Sequence, residues 1–173
     1  MTLANRITIL RILLVPFFIA LILYSKEKLA FIVFSIAAIT DMLDGHIARV
    51  TKQKTELGRI LDPLADKILL LSAFICLSVI HSPVSFPRYV PIIIISRDAI
   101  IVLGVFLVYF LKGNIKINPT VLGKVTTFFQ MITIVSVLLK FNFSPYLWNT
   151  AVIFTILSGI NYVMIGMRLL NDK

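Results

Sequence analysis

The chain has 173 residues, of which 59% are hydrophobic and only 14% charged, against roughly 25% charged in an ordinary soluble domain. Seven Gly, seven Pro and one Cys, Cys76, exclude collagen-like and low-complexity chains, an intrachain disulfide framework and any CxxC metal cluster. Seventeen Lys+Arg against eight Asp+Glu leave a net charge of +9. With so apolar a chain, that excess fits the cytoplasmic loops of a membrane protein and not nucleic-acid binding.

A membrane span needs about 20 mostly apolar residues. Six segments meet this: 7–24, 29–48, 60–80, 89–111, 121–139 and 146–167. The first follows Arg6 and Arg11 and runs straight through 25–28 into the second. No small-residue cleavage pattern lies between them, so it reads as a span and not as a cleaved signal. The second span ends in Asp41 and Asp44, and the third opens with Asp62 and Asp66. The fourth is interrupted by Arg97 and Asp98, the fifth opens on Lys124, and the sixth is uncharged. The connections are short and polar, and no linker or repeat divides the chain. The expected fold is an all-α integral membrane protein with six transmembrane helices and a short interfacial N-terminal segment. Residues 1–173 are expected to form a single domain. Long apolar/polar alternation is lacking, which argues against a β-barrel.

Orientation follows from the cations. With six spans, one side holds Arg6, Arg11, Arg49, Lys52, Lys54, Arg59, Lys112, Lys116, Lys124, Arg168 and Lys173. The other holds Lys26, Lys28, Arg88 and Lys140. The positive-inside rule then places both termini, and the loop between the second and third spans, in the cytoplasm of a multi-pass cell (inner) membrane protein.

Four of the chain's Asp fall between positions 41 and 66, all at the cytoplasmic ends of spans. A charged carboxylate costs about 2.5–3.5 kcal/mol at a bilayer centre and less near the interface. Four together also repel one another, unless a cation sits between them. At about 100° per residue, Asp41, Asp44, Gly45, Ala48 and Arg49 share an arc of roughly 140° on one helix. Gly58, Asp62 and Asp66 form a narrow i, i+4, i+8 stripe on the next. Joined by a short loop, the two helices are antiparallel neighbours, and the carboxylates face a shared cleft. Oxygen donors without His or Cys suit hard divalent ions such as Mg²⁺, Mn²⁺ or Ca²⁺. Gly45, Ala48 and Gly58 remove bulk from the same faces, so a ligand can approach the backbone. The alternative is a set of solvated Asp in loops or helix caps, with Asp44-Gly45 as a hairpin turn. Four Asp on two converging stripes disfavour it.

The stretch Asp41-x2-Asp44-Gly45-x2-Ala48-Arg49-x8-Gly58-x3-Asp62-x3-Asp66 resembles the full signature of the CDP-alcohol phosphotransferase family. Asn5, Thr8 and Arg11 resemble the family's juxtamembrane N-terminus. Asp62-Pro63-Leu64-Ala65-Asp66-Lys67 is similar to the branch that makes phosphatidylglycerol-type lipids. The resemblance implies a six-helix membrane enzyme, often a homodimer, that displaces CMP from a CDP-alcohol by attack of an acceptor hydroxyl. It implies that Asp41, Asp44, Asp62 and Asp66 hold two divalent cations, Mg²⁺ or Mn²⁺, with Asp66 as general base. Gly45, Ala48, Arg49 and Gly58 would receive the CDP group of CDP-diacylglycerol. The chemistry is coherent by itself: bound metals polarise phosphorus and neutralise the leaving group, and a carboxylate takes the hydroxyl proton. Arg49 can add a bidentate phosphate contact.

Arg97 and Lys124 match basic residues of the phosphatidylglycerophosphate synthase branch, which makes them candidates for binding an anionic glycerol-type acceptor. Asp98 could instead neutralise Arg97 in a structural pair, and Lys124 could be a snorkelling lysine. Two positions depart from that branch: Val105 and Thr126 stand where users of glycerol-3-phosphate often carry cations. The Ser96-Arg97-Asp98 triplet and the run from Lys124 to Gln130 look closer to eukaryotic-type cardiolipin synthases. The reading leans narrowly to phosphatidylglycerol as acceptor, with glycerol-3-phosphate as the alternative. A divalent-ion transporter is a more distant alternative, disfavoured because the carboxylates cluster near one face instead of lining a path. Phe128, Phe129, Trp148 and Tyr162 read as packing or belt aromatics. His46 and His81 are too isolated for a zinc site.

Overall fold

The computed structural model describes residues 3–50, 56–80, 84–112 and 120–171, with side chains described for 8–40, 65–80, 84–111 and 120–170. Among these residues the chain forms six helices: α1 (Leu3–Leu23), α2 (Glu27–Val50), α3 (Glu56–Val79), α4 (Tyr89–Lys112), α5 (Val121–Leu138) and α6 (Ser144–Asn171). Each takes up one of the six apolar segments, as the sequence led us to expect. The expected interfacial N-terminal segment is the first turn of α1, which is already helical at Leu3. Three described stretches are long and apolar enough to cross a membrane: Tyr89–Leu111, Val121–Leu138 and Ser144–Leu170. A shorter apolar stretch, Thr8–Leu23, lies in α1.

The helical state is a consequence of the solvent. The run Ile92–Ile95 in α4 is β-branched and would favour a strand in water. Hydrocarbon offers no hydrogen bonds, so the backbone must satisfy itself within the segment, and a helix does that.

The chain divides into two compact units. The first is built on α1, α2 and α3. In it α1 packs against both α2 and α3. Thr8, Arg11, Val15, Phe18 and Ile22 form one buried stripe along α1, at the three- and four-residue steps of a helix face. Ala30, Phe34 and Ala37 on α2 and Ala65, Leu69 and Ala73 on α3 are buried too. The alanines let helix backbones approach closely, the usual device where lipid supplies no hydrophobic drive. Phe18 and Phe34 meet with ring centroids 5.9 Å apart. The turn after α1 is a Schellman closure: Lys26 N–H donates to Leu21 O at 2.8 Å and Ser25 N–H to Ile22 O at 2.9 Å. Ser25 takes the left-handed conformation, φ 56°. Lys140, also left-handed at φ 55°, pairs with Glu27 at the start of α2.

The second unit holds α4, most of α5 and α6. α4 packs against α6. Thr126, Gln130 and Thr133 form a fully buried polar stripe on α5, and Thr155 and Ser158 are buried on α6. Gln130 Nε2 donates to Thr155 Oγ1 at 3.2 Å. Thr126 Oγ1 bonds to Leu122 O at 2.8 Å and to Phe154 O at 3.1 Å. Phe129 stacks on Phe154 at 4.8 Å, and Phe86 meets Trp148 edge-on at 5.9 Å. Polar groups that bond across helices act as glue in a span.

Candidate active site

In the first unit, the described part of the acidic signature is Asp66. It lies on α3 next to buried Ala65 and one turn before Leu70. Its Oδ1 accepts from Arg11 Nη1 at 2.5 Å. Arg11 is 1% exposed and Asp66 33%. The guanidinium therefore sits inside the helix packing, while the carboxylate reaches toward the surface. An Arg on the buried stripe of α1 is costly unless paired, and Asp66 supplies the pair. Arg11 entered the sequence reading as a cation of the cytoplasmic side and as part of the N-terminal resemblance. Its link to Asp66 spans 55 positions and leaves no periodic trace.

Asp41, Asp44, Gly45, Ala48 and Arg49 fall on α2, and Gly58 and Asp62 on α3. Their side chains lie outside the described residues. The helix bounds still decide one point: α2 runs unbroken to Val50, so Asp44-Gly45 is not a hairpin turn. On unbroken helices the i, i+3 and i, i+4 spacings put the Asp of each helix on one face. Asp66 lies one turn from Asp62 and keeps a third of its side chain exposed. An all-oxygen donor set of this kind suits hard divalent ions.

In the second unit, Arg97 is 7% exposed and Asp98 9%. Arg97 Nη1 donates to Asp98 Oδ1 at 2.8 Å, and its Nη2 donates to Ser158 Oγ at 2.5 Å. The guanidinium carbon lies 5.6 Å from the centroid of the Tyr162 ring. The stem of Arg97 lies against Gly159 of α6, where a Cβ would meet Arg97 Cγ at 3.4 Å, about an ordinary contact. Arg97 Nε is buried with no hydrogen-bond partner among the described residues. Arg97 also lines a cavity of about 450 Å³ between α4 and α6, walled by Ile92, Ile156, Ile160 and Met164. So the alternative ion pair with Asp98 is present, and it accounts for only part of the guanidinium.

Lys124 is exposed on the first turn of α5. That turn is capped by Thr120, whose Oγ1 accepts from Gly123 N–H at 3.1 Å. Tyr162 is more than a packing aromatic: its hydroxyl accepts from Thr120 N–H at 3.1 Å. Thr126 is fully buried against α6, so its side chain is a packing element of the α5–α6 contact. Val105 is 41% exposed.

Comparison with known proteins identifies the family. The family model described as CDP-alcohol phosphatidyltransferase matches residues 1–160. The chain is 35% identical to the CDP-diacylglycerol–glycerol-3-phosphate 3-phosphatidyltransferase of Haemophilus influenzae, over 96% of this chain and 94% of that one. It is 34% identical to the protein of the same name in Bacillus subtilis, over 92% of each. The CMP-forming cardiolipin synthase of Homo sapiens is 31% identical over 96% of this chain and 62% of its own length. On the extent of the family match and these identities, the chain belongs to the CDP-alcohol phosphatidyltransferase family.

Proposed function

We propose that this phosphatidyltransferase moves the phosphatidyl group of CDP-diacylglycerol to a hydroxyl of glycerol-3-phosphate and releases CMP. This reverses the lean of the sequence reading toward phosphatidylglycerol. The observation that carries it is the set of relatives. Two that match along nearly the whole of both chains are named for glycerol-3-phosphate. The human cardiolipin synthase is matched over 62% of its length.

In this reading the acceptor oxygen attacks the phosphorus that bears diacylglycerol. The new O–P bond forms as the diphosphate P–O bond breaks, and CMP leaves with the electron pair. Asp66 receives the hydroxyl proton. Arg11 holds the Asp66 carboxylate in place through Oδ1. Arg49, Gly45, Ala48 and Gly58 receive the CDP group. Asp41, Asp44, Asp62 and Asp66, an all-oxygen set, would hold two divalent cations. When bound, such ions polarise the diphosphate and neutralise the leaving phosphate. Arg97 and Lys124 bind the anionic acceptor. The cation count supports a site on the cytoplasmic side, and the family resemblance supports a homodimer.

One observation favours phosphatidylglycerol as a second reading. Arg97 faces an apolar cavity and is partly neutralised by Asp98, a setting that suits a lipid monoanion better than a free phosphate ester. The test is CMP release from CDP-diacylglycerol with Mg²⁺ or Mn²⁺, with each acceptor offered separately. Release with glycerol-3-phosphate alone supports the first reading. Release only with phosphatidylglycerol overturns it in favour of the second.

A further inference from the structure

We propose that Tyr162 is a positioning residue that sets Arg97 and Lys124 relative to each other and so tunes acceptor binding. The inference rests on the reading of these two cations as the acceptor site.

One side chain touches the surroundings of both. The ring of Tyr162 lies under the Arg97 guanidinium, 5.6 Å from centroid to carbon. Its hydroxyl, at the far end of the same ring, accepts the Thr120 N–H at 3.1 Å. Thr120 is the cap of α5 and bonds Gly123, the residue before Lys124. Lys124 N–H in turn donates to Thr120 O at 3.2 Å. Tyr162 is thus a short strut from the cation of α4 to the turn that carries the cation of α5.

The local sequence makes room for the strut. A Cβ at Gly123 would lie 3.1 Å from the Tyr162 hydroxyl and 3.3 Å from Cε2, tighter than ordinary contact. Ser158, Gly159 and Tyr162 share one face of α6 by helical spacing. Ser158 accepts from Arg97 Nη2, Gly159 lies against its stem and Tyr162 underlies its head. A tyrosine has two side-chain torsions, so such a contact costs little conformational entropy. The ring attracts the cation face-on without taking its hydrogen-bond donors. Arg97 Nε, buried and without a hydrogen-bond partner among the described residues, is a donor that a bound acceptor anion would satisfy. Movement of the ring would shift Arg97 and the α5 turn together. The contacts of Tyr162 are to Arg97 and to the turn before Lys124, the two cations assigned to the acceptor. The expected signature is a change in acceptor KM alone.

The experiment measures CMP release by the full chain in nanodiscs, varying acceptor at saturating CDP-diacylglycerol and then the reverse, with thermal stability recorded for each variant. Tyr162→Phe keeps the ring under Arg97 and loses the tie to Thr120. It should raise acceptor KM about threefold, with donor KM changed by less than about twofold. Tyr162→Leu loses both contacts and should raise acceptor KM about tenfold or more, so that Phe is a partial rescue. Arg97→Gln serves as the reference. If it leaves acceptor KM unchanged, the acceptor-site reading itself fails. If it raises acceptor KM while Tyr162→Phe leaves it unchanged, Tyr162 is only a packing residue and the proposal is overturned. An equal rise in both KM values also overturns it. Should Tyr162→Leu not fold, the Phe variant decides.

Discussion

Arg11 Nη1 lies 2.5 Å from Asp66 Oδ1, a bond between a fully buried guanidinium and a carboxylate one-third exposed. The asymmetry matters. Removing Asp66 takes one carboxylate from a buried guanidinium, whereas removing Arg11 takes one cation from a carboxylate that water already reaches. Arg11→Met should therefore cost about 2 kcal/mol of stability, below the roughly 3–5 kcal/mol of a fully buried pair. The double variant Arg11→Met, Asp66→Asn should recover part of that loss. Thermal unfolding in detergent across the four-protein cycle checks this, and strictly additive shifts would show that the two groups are not coupled.

The Asp66→Asn protein separates structure from chemistry. The amide keeps an oxygen for Arg11 but cannot take a proton from an acceptor hydroxyl. Loss of a general base costs about 10²–10⁴ in rate. CMP release should fall by at least about a hundredfold in a protein that still folds. Retention of full activity would remove Asp66 from the proposed base role.

Chelation tests the carboxylate set as a whole. EDTA should abolish CMP release, and Mg²⁺ or Mn²⁺ should restore it, because an all-oxygen site prefers hard ions. Asp41→Asn should raise the metal concentration needed for half-maximal rate. Thermal unfolding should show a metal-dependent rise in wild type and a smaller one in Asp41→Asn, as linkage requires of a ligand bound only by the folded state. A metal-independent rate in wild type would refute the site.

How much of this was legible in the sequence depends on the range of each interaction. The six helices were, because a span writes its own length into a run of about 20 apolar residues. The pairing of Arg97 with Asp98 was legible only as an alternative to acceptor binding, since the two are adjacent. The spacing of Asp62 and Asp66 pointed to α3, and Asp41 and Asp44 to α2, by helical period alone. Arg11 as the partner of Asp66 was hidden, because a contact across 55 positions has no local signature. Tyr162 was hidden for the same reason. As a lone aromatic in a span it could not be told from packing until its ring met Arg97 and its hydroxyl met Thr120. Thr126 was read against a family pattern as a missing cation. Its burial against α6 gives it a packing role that composition could not show.

The turn after α1 offers a stabilising change. Ser25 holds φ 56°, a conformation that costs a residue with a Cβ about 1 kcal/mol. Glycine adopts it without that cost and is the common choice at this helix-closing position. The Ser25→Gly protein should gain about 0.5 kcal/mol after the greater flexibility of unfolded glycine is subtracted. Its unfolding midpoint in detergent should rise slightly with activity unchanged. A fall would mean that the Ser25 side chain contributes more than its backbone costs.

The buried Gln130 tests what holds α5 to α6. In a water-soluble core, replacing a hydrogen-bonded Gln by Leu would leave Thr155 short of one donor and cost about 1–3 kcal/mol. Two features reduce that here. Thr155 Oγ1 also donates to Ala151 O at 2.7 Å, so its own proton stays satisfied after the change. In a bilayer the separated helices would carry Gln130 into lipid, where its amide is costly and Leu is not, and interhelical hydrogen bonds average only about 0.6 kcal/mol. Gln130→Leu should therefore shift stability by less than about 1 kcal/mol. Thr126→Val should cost more, because the Thr126 hydroxyl bonds both its own helix and the Phe154 carbonyl of α6. Unfolding of both variants in the same detergent orders the two effects. The reverse order would place the grip between α5 and α6 at Gln130 instead of Thr126.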